Sequence, residues 1–191
     1  CITKINMVFK ASAEVLACVA ASTFHFAVGG IIGFSAILIP QLEQSDSDIN
    51  VTKEDVSWIA SSVPLVVLVG SILTGCLVDR IGRVKTIKTA TVPFIIGWLC
   101  IATANNLALI LLGRLLTGVS MAISFNTAPI YVTEVAKPKN RGALVCTQTS
   151  LLSLGMLVMY AKGALLHWRT ISWISMSYCI PPLLLMSFWR P

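Results

Sequence analysis

The feature that most limits the fold of this chain is a series of six apolar runs. They span approximately Val15–Ile39, Trp58–Val78, Ile87–Ala104, Leu107–Tyr131, Ala143–Leu166 and Thr170–Trp189. Crossing the hydrocarbon of a bilayer as a helix takes about 20 apolar residues. Lipid offers backbone N–H and C=O groups no partners, so runs of this length are expected as helices that satisfy their own hydrogen bonds. Only 12% of the residues are charged, against about 25% in an ordinary soluble domain, and mean hydropathy is +0.85. The 191 residues leave room for six spans and short connections. The expected fold is therefore an all-α membrane protein, a bundle of six transmembrane helices.

All six runs are rich in Gly, Ala and Ser, which let membrane helices approach closely. Asn105-Asn106 alone separates the third run from the fourth. Pro64, Pro93, Pro129 and the Pro181-Pro182 pair lie within or near spans, where they are expected to kink helices or leave carbonyls free. The order reads as two three-helix units meeting near Asn105, a plan that recurs as inverted repeats in transporter halves. No repeat is visible letter by letter.

The net charge is +6, but no basic stripe with interleaved aromatics points to nucleic acid. The charges sort by side instead. With a cytoplasmic N-terminus, the inner segments hold Lys4, Lys10, Arg80, Arg83, Lys85, Lys88, Lys137, Lys139, Arg141 and Arg190. The outer ones hold Lys53, Lys162 and Arg169, while Glu43, Asp46, Asp48, Glu54 and Asp55 crowd the first outer loop. This is the positive-inside pattern, and it puts Asn50-Val51-Thr52, an acceptor sequon for N-glycosylation, on the outer side. The six cysteines show no Cys-x-x-Cys spacing, and His25 and His167 have no carboxylate or Cys at useful spacing, so neither a disulfide framework nor a metal site is expected. Trp58, Trp168 and Trp189 fall near span ends, as interfacial anchors do. No Ser-His-Asp arrangement or Walker loop supports an enzyme, and no cofactor is expected.

Between the second and third runs lies Gly75-Cys76-Leu77-Val78-Asp79-Arg80-Ile81-Gly82-Arg83-Val84-Lys85. Charge this dense does not sit in hydrocarbon, so a tight loop is expected. There Gly75 and Gly82 would ease close approach and turning, and Asp79 would pair with Arg80 and Arg83. Read for topology alone, it is an ordinary positive-inside turn. Its spacing, Gly-x-x-x-Asp-Arg-x-Gly-Arg, resembles the signature loop of the major facilitator superfamily.

The second inner segment carries Glu134 and Arg141-Gly142 around Pro138, which blocks a continuous helix. It resembles the loop after the fourth span in the sugar porter family of that superfamily. The resemblance implies a cytoplasmic network in which Glu134, Arg141 and Gly142 interlock with Gly75, Asp79, Arg80, Gly82 and Arg83 to hold the outward-facing state. Gly113-Arg114-Leu115-Leu116-Thr117-Gly118 looks like the start of the family's fourth span. Trp168-Arg169-Thr170 followed by Ile180-Pro181-Pro182 resembles its sixth, most closely in insect trehalose and related sugar facilitators. The resemblance covers nearly the whole chain, as the N-terminal half of such a transporter, in a plasma membrane. The family's Pro-Glu-Ser-Pro-Arg-type motif would follow Pro191. The chain, starting at Cys1, is expected to be a fragment or a natural truncation.

Two polar residues inside spans stand out. Arg114 lies in the outer part of the fourth span and is expected to face the bundle interior or a wet cavity, unless it snorkels to the surface. In proton-coupled family members a cation here partners an acid of the first span, where this chain has Gly33-Phe34-Ser35. A proton relay needs a titratable group, which Ser35 does not supply, and this favours passive facilitation. Gln148, near the start of the fifth span, reads by its chemistry as an interhelical hydrogen bond. The resemblance implies instead a contact to the sugar. Asn126 reads as packing. The expected function is facilitative transport of trehalose or a hexose by alternating access, as half of a site that needs the missing half or a second copy. The alternative is a truncated, non-transporting membrane protein that regulates a full-length partner.

Overall fold

The computed structural model describes residues 2–43 and 51–188, with side chains over 18–43 and 51–184. Its helices are α1 (Ile2–Leu42), α2 (Lys53–Ile81), α3 (Arg83–Thr89), α4 (Thr91–Ala102), α5 (Leu107–Val135), α6 (Pro138–Gly163), α7 (Trp168–Met176) and α8 (Ile180–Phe188), with a 3-10 turn at Ser177–Cys179. The third span is α3 continued by α4, and the sixth is α7, the turn and α8. Five spans are each long and apolar enough to cross a bilayer, and the sixth is broken at its 3-10 turn.

Proline chemistry explains where the helices break. Pro93 and the Pro181-Pro182 pair sit in the first turns of α4 and α8, where a missing N–H removes no helical bond. Pro64 and Pro129 lie inside unbroken α2 and α5. Pro138 opens α6 at its first position. Asn106 caps α5 by accepting from Leu109 N at 3.0 Å, and Thr52 forms a reciprocal capping box with Asp55 on α2.

Residues 75–85 are not the loop that their charge predicts. α2 runs through Ile81, α3 starts at Arg83, and Gly82 alone makes the turn, at φ 81° and ψ 159°. Leu77, Val78 and Ile81 keep an apolar helix face going almost to the junction. Arginine is also a good helix former, with a stem long enough to reach water from a helix end. Gly75 therefore lies within α2, with nothing within 4 Å of where a Cβ would stand.

Close approach occurs elsewhere. α1 and α6 meet backbone to backbone: a Cβ on Gly29 would strike the Leu152 carbonyl, and one on Gly155 would strike the Phe26 carbonyl. Such contact gives dispersion its largest return in a bundle where lipid supplies no hydrophobic drive. Apolar side chains fill two cores. One joins Phe34, Trp98, Ile101, Ile110 and Trp168; the other joins Cys18, Ala21, Phe24, Ile87, Ala128 and Val132. Trp168 is thus a core residue, 2% exposed, rather than an interfacial anchor. Gln41 holds it there, accepting from Trp168 N at 2.7 Å and donating to the Leu166 carbonyl at 3.2 Å. Trp58 is 60% exposed at a span end, as an anchor should be. Asn50 and Trp189 lie outside the described residues.

The helix pairing carries the symmetry that the letters hide. The first span packs on the fifth, and the second on the fourth. The third packs on the fourth, and the first on the sixth; first with fourth, third with sixth and each span with its neighbour in the chain complete the set. Exchanging first with fourth, second with fifth and third with sixth returns the same set. Successive spans alternate direction, so units offset by three spans are inverted repeats.

Gly155→Leu is expected to destabilise the bundle by about 3 kcal/mol, the upper range for overpacking against backbone. Thermal unfolding of the chain in detergent should show a clear drop for Gly155→Leu and almost none for Gly75→Leu. Equal effects would mean that the α1–α6 seam is not special.

Candidate functional site: a surface ion pair and a line of buried polar groups

Gly82 ends α2, so Arg83 stands in the first turn of α3, beside the last turn of α5. There its Nε and Nη2 donate to Glu134 Oε1 at 3.1 and 2.9 Å. The side chains are 38% and 46% exposed, so the pair is worth about 0.2–1 kcal/mol. It is the one ion pair among the described residues. Asp79, Arg80 and Arg141 are exposed and unpaired there. The turn at Gly82 aims Arg83 at α5 and leaves Asp79 and Arg80 on the outer surface of α2. Pro138 starts α6 beyond Glu134, and Arg141 and Gly142 face outward.

Arg114 is fully buried. Its Nη1 donates to the Ile31 carbonyl at 3.3 Å, and the guanidinium lies 4.8 Å from the Phe34 ring centroid, a cation–π contact. Nε and Nη2 have no partner. It does not snorkel. Residues 31–34 of α1 do lie against this cation, with an aromatic ring in place of a carboxylate. Ser35 lines a neighbouring cleft of about 570 Å³ with Ile32, Pro64, Val67, Leu68 and Met121.

Gln148 is buried, and its Nε2 has no partner. Gly155 of α6 abuts Phe26 of α1, so Gln148, two turns earlier on the same stripe, faces α1. Two hydroxyls near it are engaged within α6, Thr147 with the Ala143 carbonyl at 2.9 Å and Ser150 with the Cys146 carbonyl at 3.1 Å. His25 packs on Phe125, with ring centroids 5.7 Å apart. Asn126 donates to Ser71 Oγ at 2.8 Å and to the Ala122 carbonyl at 2.7 Å, which ties α5 to α2 as a packing residue. His167 caps α7.

Further polar contacts join the spans, and one of them holds a cation. Lys162, taken as an outer-loop cation, belongs to the last turn of α6 and is held by the Tyr178 hydroxyl, with its Nζ 4.2 Å from that ring's centroid. Tyr178 lies in the break of the sixth span, and no spacing in the letters joins the two residues.

Comparison with known proteins agrees with this architecture. The family model described as Sugar (and other) transporter matches residues 14–191. The facilitated trehalose transporter Tret1-2 homolog of Drosophila sechellia is 35% identical over 185 residues, covering 96% of this chain and 37% of that protein. Solute carrier family 2, facilitated glucose transporter member 8 of Bos taurus is 36% identical over 177 residues, covering 91% of this chain and 36% of that protein. The solved structure of the proton:xylose symporter XylE bound to 6-bromo-6-deoxy-D-glucose superposes with a TM-score of 0.79 at 19% identity, over 94% of this chain and 44% of that one. This last likeness speaks for the fold. The chain spans little more than a third of the length of these two sequence relatives.

A double-mutant cycle on Arg83→Ala and Glu134→Gln, read by thermal unfolding, is expected to give a coupling of about 0.5 kcal/mol, since water screens both groups. Coupling of several kcal/mol would show a desolvated pair. Arg114→Met should stabilise the bundle by about 1 kcal/mol or leave it unchanged, because a buried guanidinium with two idle donors is replaced by an apolar chain of similar length. Arg114→Ala should destabilise it by leaving a cavity. A loss with Met as large as with Ala would show that the Ile31 and Phe34 contacts fully compensate the charge.

Proposed function

Because this chain belongs to the sugar (and other) transporter family, we propose that it forms the amino-terminal half of a facilitative transporter that carries trehalose or a hexose by alternating access. The single observation that carries the facilitative reading is the setting of Arg114, which meets a carbonyl and an aromatic ring where a proton-coupled carrier needs an acid. Among the residues whose side chains are described, every carboxylate (Glu43, Glu54, Asp55, Asp79 and Glu134) stands at or just beyond a helix end, and Glu14 precedes the apolar span Cys18–Leu42 of α1. None lies within the bundle to relay a proton. The trehalose and glucose transporters among the relatives support the substrate class.

Gln148 is the sugar contact in this reading. Its unpartnered Nε2 is a buried donor that a hydroxyl would satisfy, and an amide also accepts. The Arg83–Glu134 pair is one closure of an inner gate. Asp79 and Arg141 hold charges for the second half to meet, with Gly75, Gly82 and Gly142 keeping the surface between them low. The basic end of the bundle faces the cytoplasm, which puts the N-terminus inside a plasma membrane.

Uptake of labelled trehalose and glucose into liposomes tests this. The chain alone is expected to give no saturable flux. A protein that joins it to a second half should give saturable flux that a protonophore leaves unchanged, and Gln148→Ala should raise the half-saturation concentration by about three- to tenfold, the worth of a lost hydrogen bond. Protonophore-sensitive accumulation would overturn the facilitative reading; no sugar flux at all would overturn the substrate class.

A further inference from the structure

The face of the bundle away from α1 carries a groove with its own chemistry. It has a volume of about 780 Å³ and runs along the seam of α2 and α5. α2 lines it with Trp58, Leu65, Val69, Leu73 and Arg80, a stripe recurring every four or seven residues on one helix face. α5 lines it with Leu111, Leu115, Val119 and Ile123. Trp58 and Arg80 are 22 positions apart on one continuous helix, about 33 Å at 1.5 Å per residue. That is close to the hydrocarbon thickness of a bilayer, about 30 Å. The groove is apolar along this length and ends on one cation.

The groove opens on the face turned away from α1. Its α5 residues lie roughly 130° round the helix from Arg114, Phe125 and Ala128, at 100° per residue, and those three meet Phe34, His25 and the first-span core on α1. The cleft that holds Ser35 opens on the α1 side. Arg80 is exposed and has no ion pair among the described residues. Asp79, one residue earlier and so about 100° away, does not line the groove. Arg80 is therefore a cation at the end of a hydrocarbon channel, at the level where one leaflet places its phosphates.

We propose that this groove binds a phospholipid of the leaflet on the basic side, with an acyl chain along Leu73 and Val69 and the phosphate on Arg80. Both ends of the lipid are matched: apolar walls take the chain, and an unpaired guanidinium takes the phosphodiester in bidentate fashion. The inference rests on the bundle lying in a bilayer and does not depend on which solute it carries.

The purified chain, supplied with dioleoyl phosphatidylglycerol in mild detergent and then delipidated, tests this by native mass spectrometry. One lipid is expected to survive the wash on the unmodified chain. Arg80→Ala should lower its occupancy about fivefold, the effect of one basic residue near a membrane surface. Val69→Trp, which fills the groove at an exposed position, should lower it without touching charge, and Leu65→Trp serves if Val69→Trp loses its helical circular dichroism. Arg141→Ala and Leu157→Trp, an equally exposed cation and apolar residue on α6, should leave occupancy unchanged. Equal losses for Arg80→Ala and Arg141→Ala would mean diffuse attraction and overturn the site. So would retained lipid in both groove variants. Displacement of the lipid by excess inorganic phosphate would overturn it too, by showing an anion site with no role for the acyl chain.

Discussion

The structure depends on the contact of α1 with α6 through Gly29 and Gly155. In lipid, apolar side chains gain nothing by leaving a solvent as oily as themselves, so helices associate by packing backbone against backbone. A Cβ at either glycine would strike a carbonyl across the seam, and that fit sets the register of α1 on α6. The same register turns Gln148 toward α1. On its other faces α1 meets α5 and the sixth span, which brings Phe34 and Ile31 to Arg114. One close approach thus places the buried amide and helps to place the buried cation.

Polar groups in this bundle are sorted by what satisfies them. Most hydroxyls bond back to their own helix, as Ser22, Ser71, Thr74, Ser172 and Ser175 do, and such bonds need nothing from neighbours. Groups that cannot back-bond are fewer and more informative. Arg114 and Gln148 each keep a buried donor without a partner, a cost that a purely structural core would avoid. The cations inside the bundle are matched with rings and carbonyls, Arg114 on Phe34 and Lys162 on Tyr178. The one ion pair among the described residues is left at the wet end. Charge complementarity therefore operates at the surface, while the interior offers hydrogen-bond donors.

Much of this was legible in the letters where a local rule sufficed. Six spans followed from run lengths, the break at Pro138 from proline chemistry, and the pairing of Glu134 with a basic residue near Gly82 from a motif. Local rules failed where a long side chain or a distant partner decided. The charged stretch 75–85 read as a loop because its charges were weighed against lipid, yet the helix persists and the side chains reach water on their own stems. Trp168 read as an anchor from its place at a span end, but Gln41, 127 positions earlier, draws it into the core. Nothing near either residue announces the other.

By itself the sequence determined the number of membrane crossings, their alternation and the ends where charge collects. Those depend only on the cost of placing backbone and charge in hydrocarbon, paid residue by residue. Only the tertiary structure decided which spans pair, and so revealed the inverted repeat, since packing specificity resides in shapes that two helices make together. It also decided that residues 75–85 turn at one glycine, that Arg83 rather than Arg80 meets Glu134, and that Arg80 looks outward along an apolar groove. Each outcome depends on the angle at which a helix presents a side chain to its neighbour, and no single stretch of sequence contains that angle.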